Sequence, residues 1–201
     1  MKTYDDILKY FTSDNEHRLN IQKPCKRGNY VMATNGYIGI RIPSHKVEGK
    51  YDENKEFPDL DKLIDAVEKY ELSKLISIDQ IHTVLSNLKM VEIFKECAVC
   101  GGDGEIECSK CGYAYTCLDC DGTGDSNRKI GYDYDENYGI KIAVNVLNPR
   151  HVNLLLKVAM INNSEVRLVS NEHEKILFTV DDIAIIMISE GNISASAEIK
   201  I

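Results

Sequence analysis

Tryptophan is absent from this chain of 201 residues, proline appears only four times, and no apolar run is long. The purest apolar stretch, Ile183 to Ile188, falls far short of the ~20 residues a spanning helix needs, which excludes a membrane span. The opening MKTYDDILKYF places acids where a signal peptide carries its apolar stretch. The chain therefore reads as cytoplasmic, with thiols reduced unless metal-bound. Also lacking are a P-loop, a His-Glu-x-x-His pair, a nucleophile elbow and the His-x-Glu then Pro-Cys-x-x-Cys signature of zinc deaminases. The expectation is a protein that is not an enzyme.

What is present is balanced: 43% of residues are apolar and 28% charged, which suits a soluble globular chain. Hydrophobic segments recur from end to end, so global disorder is excluded. The length suits one substantial core, or a core with a small satellite. The net charge of −8 hides an asymmetry. Residues 1–50 carry nine Lys/Arg against five acids, a net +4, which leaves −12 for the remainder. An acidic body argues against nonspecific nucleic-acid binding over most of the surface, and the basic first quarter leaves one face open to it.

The periodicity predicts an α+β fold. Thr3 with Asp6 forms a capping-box pattern ahead of a helical stripe of Tyr4, Ile7, Leu8 and Phe11. Strands are expected at Leu19 to Gln22, Tyr30 to Thr34 and Tyr37 to Ile42, the last two joined by an Asn35-Gly36 turn. A loop fills 43–56. Helices are expected from Pro58, burying Leu60, Leu63, Ile64 and Val67, and from Ser77, capped with Gln80. After a Cys- and Gly-rich stretch, Ile140, Ile142, Val144 and Val146 alternate as one strand. Asn148-Pro149 then opens a helix, and strands over 166–169, 176–180, 183–188 and 193–201 close the chain.

The strongest chemistry lies between Cys97 and Gly124, CAVCGGDGEIECSKCGYAYTCLDCDGTG. Three Cys-x-x-Cys pairs stand there: Cys97/Cys100, Cys108/Cys111 and Cys117/Cys120. Two thiolates at this spacing curl around one ion, and two such knuckles complete a tetrahedral zinc site. The outer pairs give Cys-x2-Cys-x16-Cys-x2-Cys, within the range of a four-cysteine zinc site. Pairing Cys97/Cys100 with Cys108/Cys111 is also allowed by spacing. Disulfides are the competing reading, disfavoured by the reducing compartment. A redox role is a third, and no strand-then-helix setting surrounds these pairs to lower a thiol pKa. The segment has few apolar residues, so metal supplies most of its local folding energy.

Here CAVCGGDG and CLDCDGTG resemble the Cys-x-x-Cys-x-Gly-x-Gly repeat of the cysteine-rich zinc-finger domain of DnaJ-type chaperones. That resemblance implies that the first and last repeats share one zinc, held by Cys97, Cys100, Cys117 and Cys120. It covers about 28 residues; the family has four repeats where this chain has three, CSKCGYAY lacks the second glycine, and no His-Pro-Asp tripeptide is present. The resemblance thus implies a zinc module and not chaperone activity. Cys108 and Cys111 are left over. They can hold a second ion with His82, His151, Cys25, a carboxylate or a second protomer, or stay unmetallated.

A second resemblance lies in the flanking sequence. NYVMATNGYIGIRIP is similar to the Ala-Thr-Asp-Gly-His-Arg-Leu strand pair of bacterial DNA sliding clamps, with Asn35 replacing the aspartate and the His-Arg step lost. The helix over 149–162 leading into VRLVS, KILFTV and DIAIIMIS resembles the last half-domain of a clamp. This implies a body of residues 1–43 plus 139–201, in which an antiparallel sheet packs against helices. Residues 44–96 would be an inserted helical segment and 97–131 the zinc-binding hairpin arm.

Acids outnumber bases in the arm, where Asp103, Glu105, Glu107 and Asp119 face only Lys110, so it is ill-suited to phosphate. A protein partner or homo-oligomer is expected, with no membrane. The alternative nucleic-acid contact is the cluster Lys23, Lys26 and Arg27 beside Tyr30, which would make the chain a clamp-like, DNA-associated accessory factor. A thiol redox protein or holdase is the remaining alternative. His17, His45, His82, His151 and His173 are scattered, His151 and His173 read as solvated surface groups, and Asp59, Asp61 and Asp65 read as a solvated helix face. Tyr113, Tyr115, Tyr132, Tyr134 and Tyr138 flank the arm as interface or packing residues.

Overall fold

In the computed structural model, the described residues are 3–68, 73–170, 174–191 and 193–201. The chain divides into two compact units: Met1–Leu88 with Glu136–Ile201, and Lys89–Asp135.

The larger unit begins with α1 (Tyr4–Leu8), where Thr3 and Asp6 form both halves of the capping box. The helix tightens into a 3-10 turn over Lys9–Phe11. Leu19–Ile21 is a second 3-10 turn in place of the expected strand: only Ile21 is buried, so no alternating face exists to pair. Then come β1 (Cys25–Arg27), β2 (Tyr30–Thr34), β3 (Ile38–Pro43), α2 (Leu60–Glu68), β4 (Lys74–Ile76) and α3 (Ile78–Ser86). The Asn35 side chain accepts the N–H groups of Tyr37 and Ile38, which fixes the turn between β2 and β3. Ser77 and Gln80 form the second capping box, at the head of α3.

The smaller unit holds β5 (Met90–Glu96), β6 (Glu105–Glu107), β7 (Ala114–Thr116) and β8 (Asp125–Tyr134). The chain then returns to the larger unit with β9 (Tyr138–Ile142), β10 (Asn145–Leu147), α4 (Pro149–Asn162), β11 (Val166–Ser170), β12 (Lys175–Val180), β13 (Ile183–Ile188) and β14 (Ser194–Ile199).

Seven strands form one antiparallel sheet in the order β1-β2-β3-β13-β12-β11-β4. The central β13 is buried at every position but its last, so both sheet faces are covered. Leu60, Ile64 and Val67 of α2 pack with Met32, Leu177 and Ile186 on one face. The helix α4, capped by Asn148 with Pro149 at its first turn, packs against α1, β9 and β12. β4 pairs with β11 and α2 covers the sheet, so both elements of the expected inserted segment pack within this unit.

A smaller sheet has the order β10-β9-β14. The single strand expected over Ile140 to Val146 is instead a hairpin, because the chain turns at Ala143 (φ +54°) and leaves Val144 74% exposed. The closing strand β14 runs parallel to β9, a direction that alternation alone does not encode. The architecture is α+β, and among the described residues every strand pair is antiparallel except β14 with β9. No helix among the described residues is long and apolar enough to cross a membrane.

In the smaller unit β5 pairs with β8 as a two-stranded stem, and β6 with β7 as a short hairpin. The stem was not expected from sequence. Its strands are interrupted by register shifts, and none of its apolar side chains is buried. Among the described residues of this unit, the buried ones are Cys97, Gly104, Cys117, Cys120 and Gly124. The described residues form no hydrocarbon core here; their interior is sulfur and glycine backbone.

Candidate metal centre

Each outer Cys-x-x-Cys pair forms a tight turn. The N–H of Gly101 donates to the carbonyl of Cys97 at 2.8 Å, and that of Gly122 to the carbonyl of Cys117 at 3.0 Å. The two turns are related by an internal repeat. Cys97 corresponds to Cys117 and Cys100 to Cys120, and Gly102 and Gly104 correspond to Gly122 and Gly124. They pair reciprocally: Cys97 N–H donates to the Gly124 carbonyl at 2.7 Å, and Cys117 N–H to the Gly104 carbonyl at 2.8 Å.

Glycine is required at the two crossing points. A Cβ on Gly104 would stand 2.3 Å from the Gly122 carbonyl oxygen, and one on Gly124 would stand 2.1 Å from that of Gly102. Both also have positive φ, +74° and +78°. Only bare backbone allows the two knuckles to close on each other.

The closure brings four sulfurs together. Cys97 Sγ lies 3.9 Å from Cys117 Sγ, and Cys100 Sγ lies 3.7 Å from Cys120 Sγ. The four sulfurs all lie within 4.8 Å of one another. A tetrahedral zinc with Zn–S bonds of about 2.3 Å separates its sulfurs by about 3.8 Å, which the Cys97–Cys117 and Cys100–Cys120 pairs match. A disulfide needs about 2.05 Å, and all seven cysteines are free. The N–H groups of Gly104 and Gly124 point at Cys100 Sγ and Cys120 Sγ, each at 3.3 Å, where they spread thiolate charge.

Burial pushes the Cys117 thiol up to about 11, against a smaller downward pull from the backbone N–H groups of Asp119 and Cys120. A proton held that tightly is displaced by a divalent cation, which deprotonates its thiol ligands outright. Around the sulfurs Ile106 supplies the partly buried hydrocarbon among the described residues. The four cysteines can therefore hold a metal ion, and the soft thiolate set suits zinc.

Cys108 and Cys111 lie outside this group, on the loop joining β6 to β7, with Cys111 exposed. The N–H of Lys110, the Cys111 thiol and the Cys111 N–H all point at Cys108 and hold its thiol below the ordinary value. Cys25 is buried in the larger unit, where its sulfur accepts the Asn54 N–H at 3.2 Å. His17, His45 and His82 are exposed and join no cysteine group among the described residues. His173 lies outside the described residues. His151, expected at the surface, is buried in α4 with Nδ1 unpartnered, and burial, with a smaller push from Arg150, depresses it to about 4.

Among the described residues the basic cluster is only partly ion-paired. Lys23 and Lys26 are exposed, while Arg27 donates to Asp59 at 2.9 Å. Arg41 lies over the Tyr30 ring and bridges Asp61 at 3.1 Å and Asp65 at 3.4 Å. The α2 acids are thus paired rather than merely solvated. Lys46 sits between Asp181, at 2.7 Å, and Asp182. Arg27, Arg41 and Lys46 are thus paired with acids inside the unit. Sequence reasoning missed these pairs because they join positions far apart in the chain. On the arm, Lys129 binds Glu92 at 2.6 Å and the Tyr132 hydroxyl at 2.5 Å, which ties β5 to β8.

No family model matches the chain, and no curated protein matches it. Among solved structures, the crystal structure of the DNA polymerase III subunit beta from Pseudomonas aeruginosa is similar over 90% of this chain. The chain spans 61% of that protein's length, with 11% identity and a TM-score of 0.46.

Proposed function

We propose that this protein is a non-enzymatic zinc-binding protein whose cysteine-rich arm mediates protein–protein contact or self-association. The observation that carries the reading is the group of four sulfurs within 4.8 Å of one another, at the centre of a unit that buries no hydrocarbon side chain among the described residues. A metal there makes a rigid arm from a segment that has no hydrocarbon core to fold it. The arm's surface favours protein over nucleic acid as its partner. Tyr113, Tyr115, Leu118, Ile130 and Tyr132 are exposed on it, and acids predominate around the sulfurs.

The ion pairs that occupy Arg27, Arg41 and Lys46 disfavour the alternative of DNA contact through the first fifty residues. The reading is tested by sedimentation of the zinc-loaded and chelator-treated chain, together with anisotropy titration of duplex DNA at low salt. Association that depends on zinc, with no DNA binding, is the expected result. DNA binding that survives chelation and falls on charge reversal of Lys23, Lys26 and Arg27 would overturn it.

A further inference from the structure

The loop that carries Cys108 and Cys111 repeats two backbone features of the Cys97/Cys100 turn of the four-sulfur group. At Cys97/Cys100 the residue after the second cysteine has φ +65° and its N–H donates to the carbonyl of the first cysteine at 2.8 Å. At Cys108/Cys111 the corresponding Gly112 has φ +69° and makes the same bond to Cys108, also at 2.8 Å. A further bond, from Cys108 N–H to the Tyr113 carbonyl at 2.9 Å, closes the loop onto the β6–β7 hairpin. The third knuckle is thus already shaped as a two-thiolate half-site.

Its other half is not found among the described residues. No third sulfur, imidazole or carboxylate gathers with Cys108 and Cys111 among the described residues. Residues 109–116 are all exposed, so the half-site stands at the solvent end of a hairpin with nothing over it. Two thiolates leave zinc two ligands short of a closed structural site. Within the arm, the comparable shortage is met by a second knuckle related by a repeat of the sequence.

We infer that Cys108 and Cys111 of two copies of this chain close around one shared zinc ion, joining the arms tip to tip about a two-fold axis. This deepens the proposed self-association and rests on that reading. Two copies of one knuckle supply four thiolates through an isologous contact, the form that homodimers favour. Each thiol releases its proton to solvent as it binds, no electron moves, and the ion remains Zn²⁺. The four thiolates leave the centre with two negative charges. Lys110, exposed between the two cysteines, brings one positive charge per copy to the same place and offsets them. The six cysteines would then serve two kinds of site: one internal to each arm, and one shared between arms.

Native mass measurement of the full chain, with zinc added in slight excess under reductant, tests this. The expected wild-type species is a dimer with about three zinc ions, one in each arm and one shared. The variant in which Cys108→Ser and Cys111→Ser are combined is expected to be a monomer that keeps one zinc. A wild-type monomer under these conditions overturns the shared site, whether it carries one ion or two. So does a dimer that persists in the double variant, or a dimer held by a bond that reductant cleaves and chelator does not. A double variant that binds no zinc marks failure of the internal arm site instead, and so separates the two claims.

Discussion

Gly124→Ala probes the closure of the two knuckles most sharply. The new methyl would stand 2.1 Å from the Gly102 carbonyl oxygen and 2.9 Å from its carbon, both fixed backbone atoms. It would also hold an L residue at φ +78°. Gly101→Ala is the matched control, since its φ is +65° but nothing lies within 4 Å of the added carbon. The conformational penalty common to both is about 1–2 kcal/mol. Relieving the clash requires the turns that carry Gly102 and Gly124 to separate, which breaks the 2.7 Å bond from Cys97 N–H to the Gly124 carbonyl and spreads the sulfurs. That adds roughly 2 kcal/mol or more.

Strain present only when the arm is closed appears as lost metal affinity, at about tenfold for each 1.4 kcal/mol. Competition with a chromophoric chelator should therefore show roughly tenfold weaker zinc binding for Gly101→Ala and roughly several-hundredfold or more for Gly124→Ala. Thermal unfolding of the larger unit should not change. Equal affinities for the two variants, or a wild-type value for Gly124→Ala, would refute the crossing of bare backbones as the basis of closure.

Three other outcomes follow from the same structure. His151 is buried neutral with its folded value near 4, below the ordinary 6.5 of an unfolded chain, so the unfolded state binds the extra proton between those values. Stability is then fully present above about pH 6.5 and is lost by roughly 3 kcal/mol as the pH falls to about 4; urea midpoints of the wild type and His151→Leu across that range should diverge, and parallel curves would contradict the buried neutral imidazole. Arg41, whose side chain is only 15% exposed between Tyr30, Asp61 and Asp65, should cost about 1–2 kcal/mol when replaced by alanine, whereas the more exposed Arg27 should cost under about 1 kcal/mol, as read by denaturant unfolding. Removing zinc with a chelator should open residues 97–124 to proteolysis while the larger unit keeps its unfolding midpoint; an arm equally protected without metal would show that the metal does not fold it.

Capping chemistry was legible in the sequence because it is local. Thr3 with Asp6, Ser77 with Gln80 and Asn148-Pro149 each mark a helix start within four residues, and each sits where that pattern places it. The Cys-x-x-Cys-x-Gly-x-Gly repeat was legible for the same reason, although the need for its last glycine appears only when the other repeat lies across it. Features set by distant partners were not legible. Alternation from Ile140 to Val146 is the same whether the strand continues or folds back at Ala143, and only the pairing of Asn145 with Ile142 distinguishes the two. His151 looks polar in isolation and is buried because α4 presents that side to the core. The strand β4 is three residues long and owes its place to β11, ninety residues away in sequence order.

The central claim is a four-thiolate zinc centre formed by Cys97, Cys100, Cys117 and Cys120. Zinc K-edge X-ray absorption on the chain purified without chelator, carrying Cys108→Ser and Cys111→Ser so that only this site remains, tests it most directly. The account predicts one tightly held zinc whose neighbours are four sulfurs at about 2.3 Å. Protein that carries no zinc, or a zinc surrounded by nitrogen and oxygen, would contradict it.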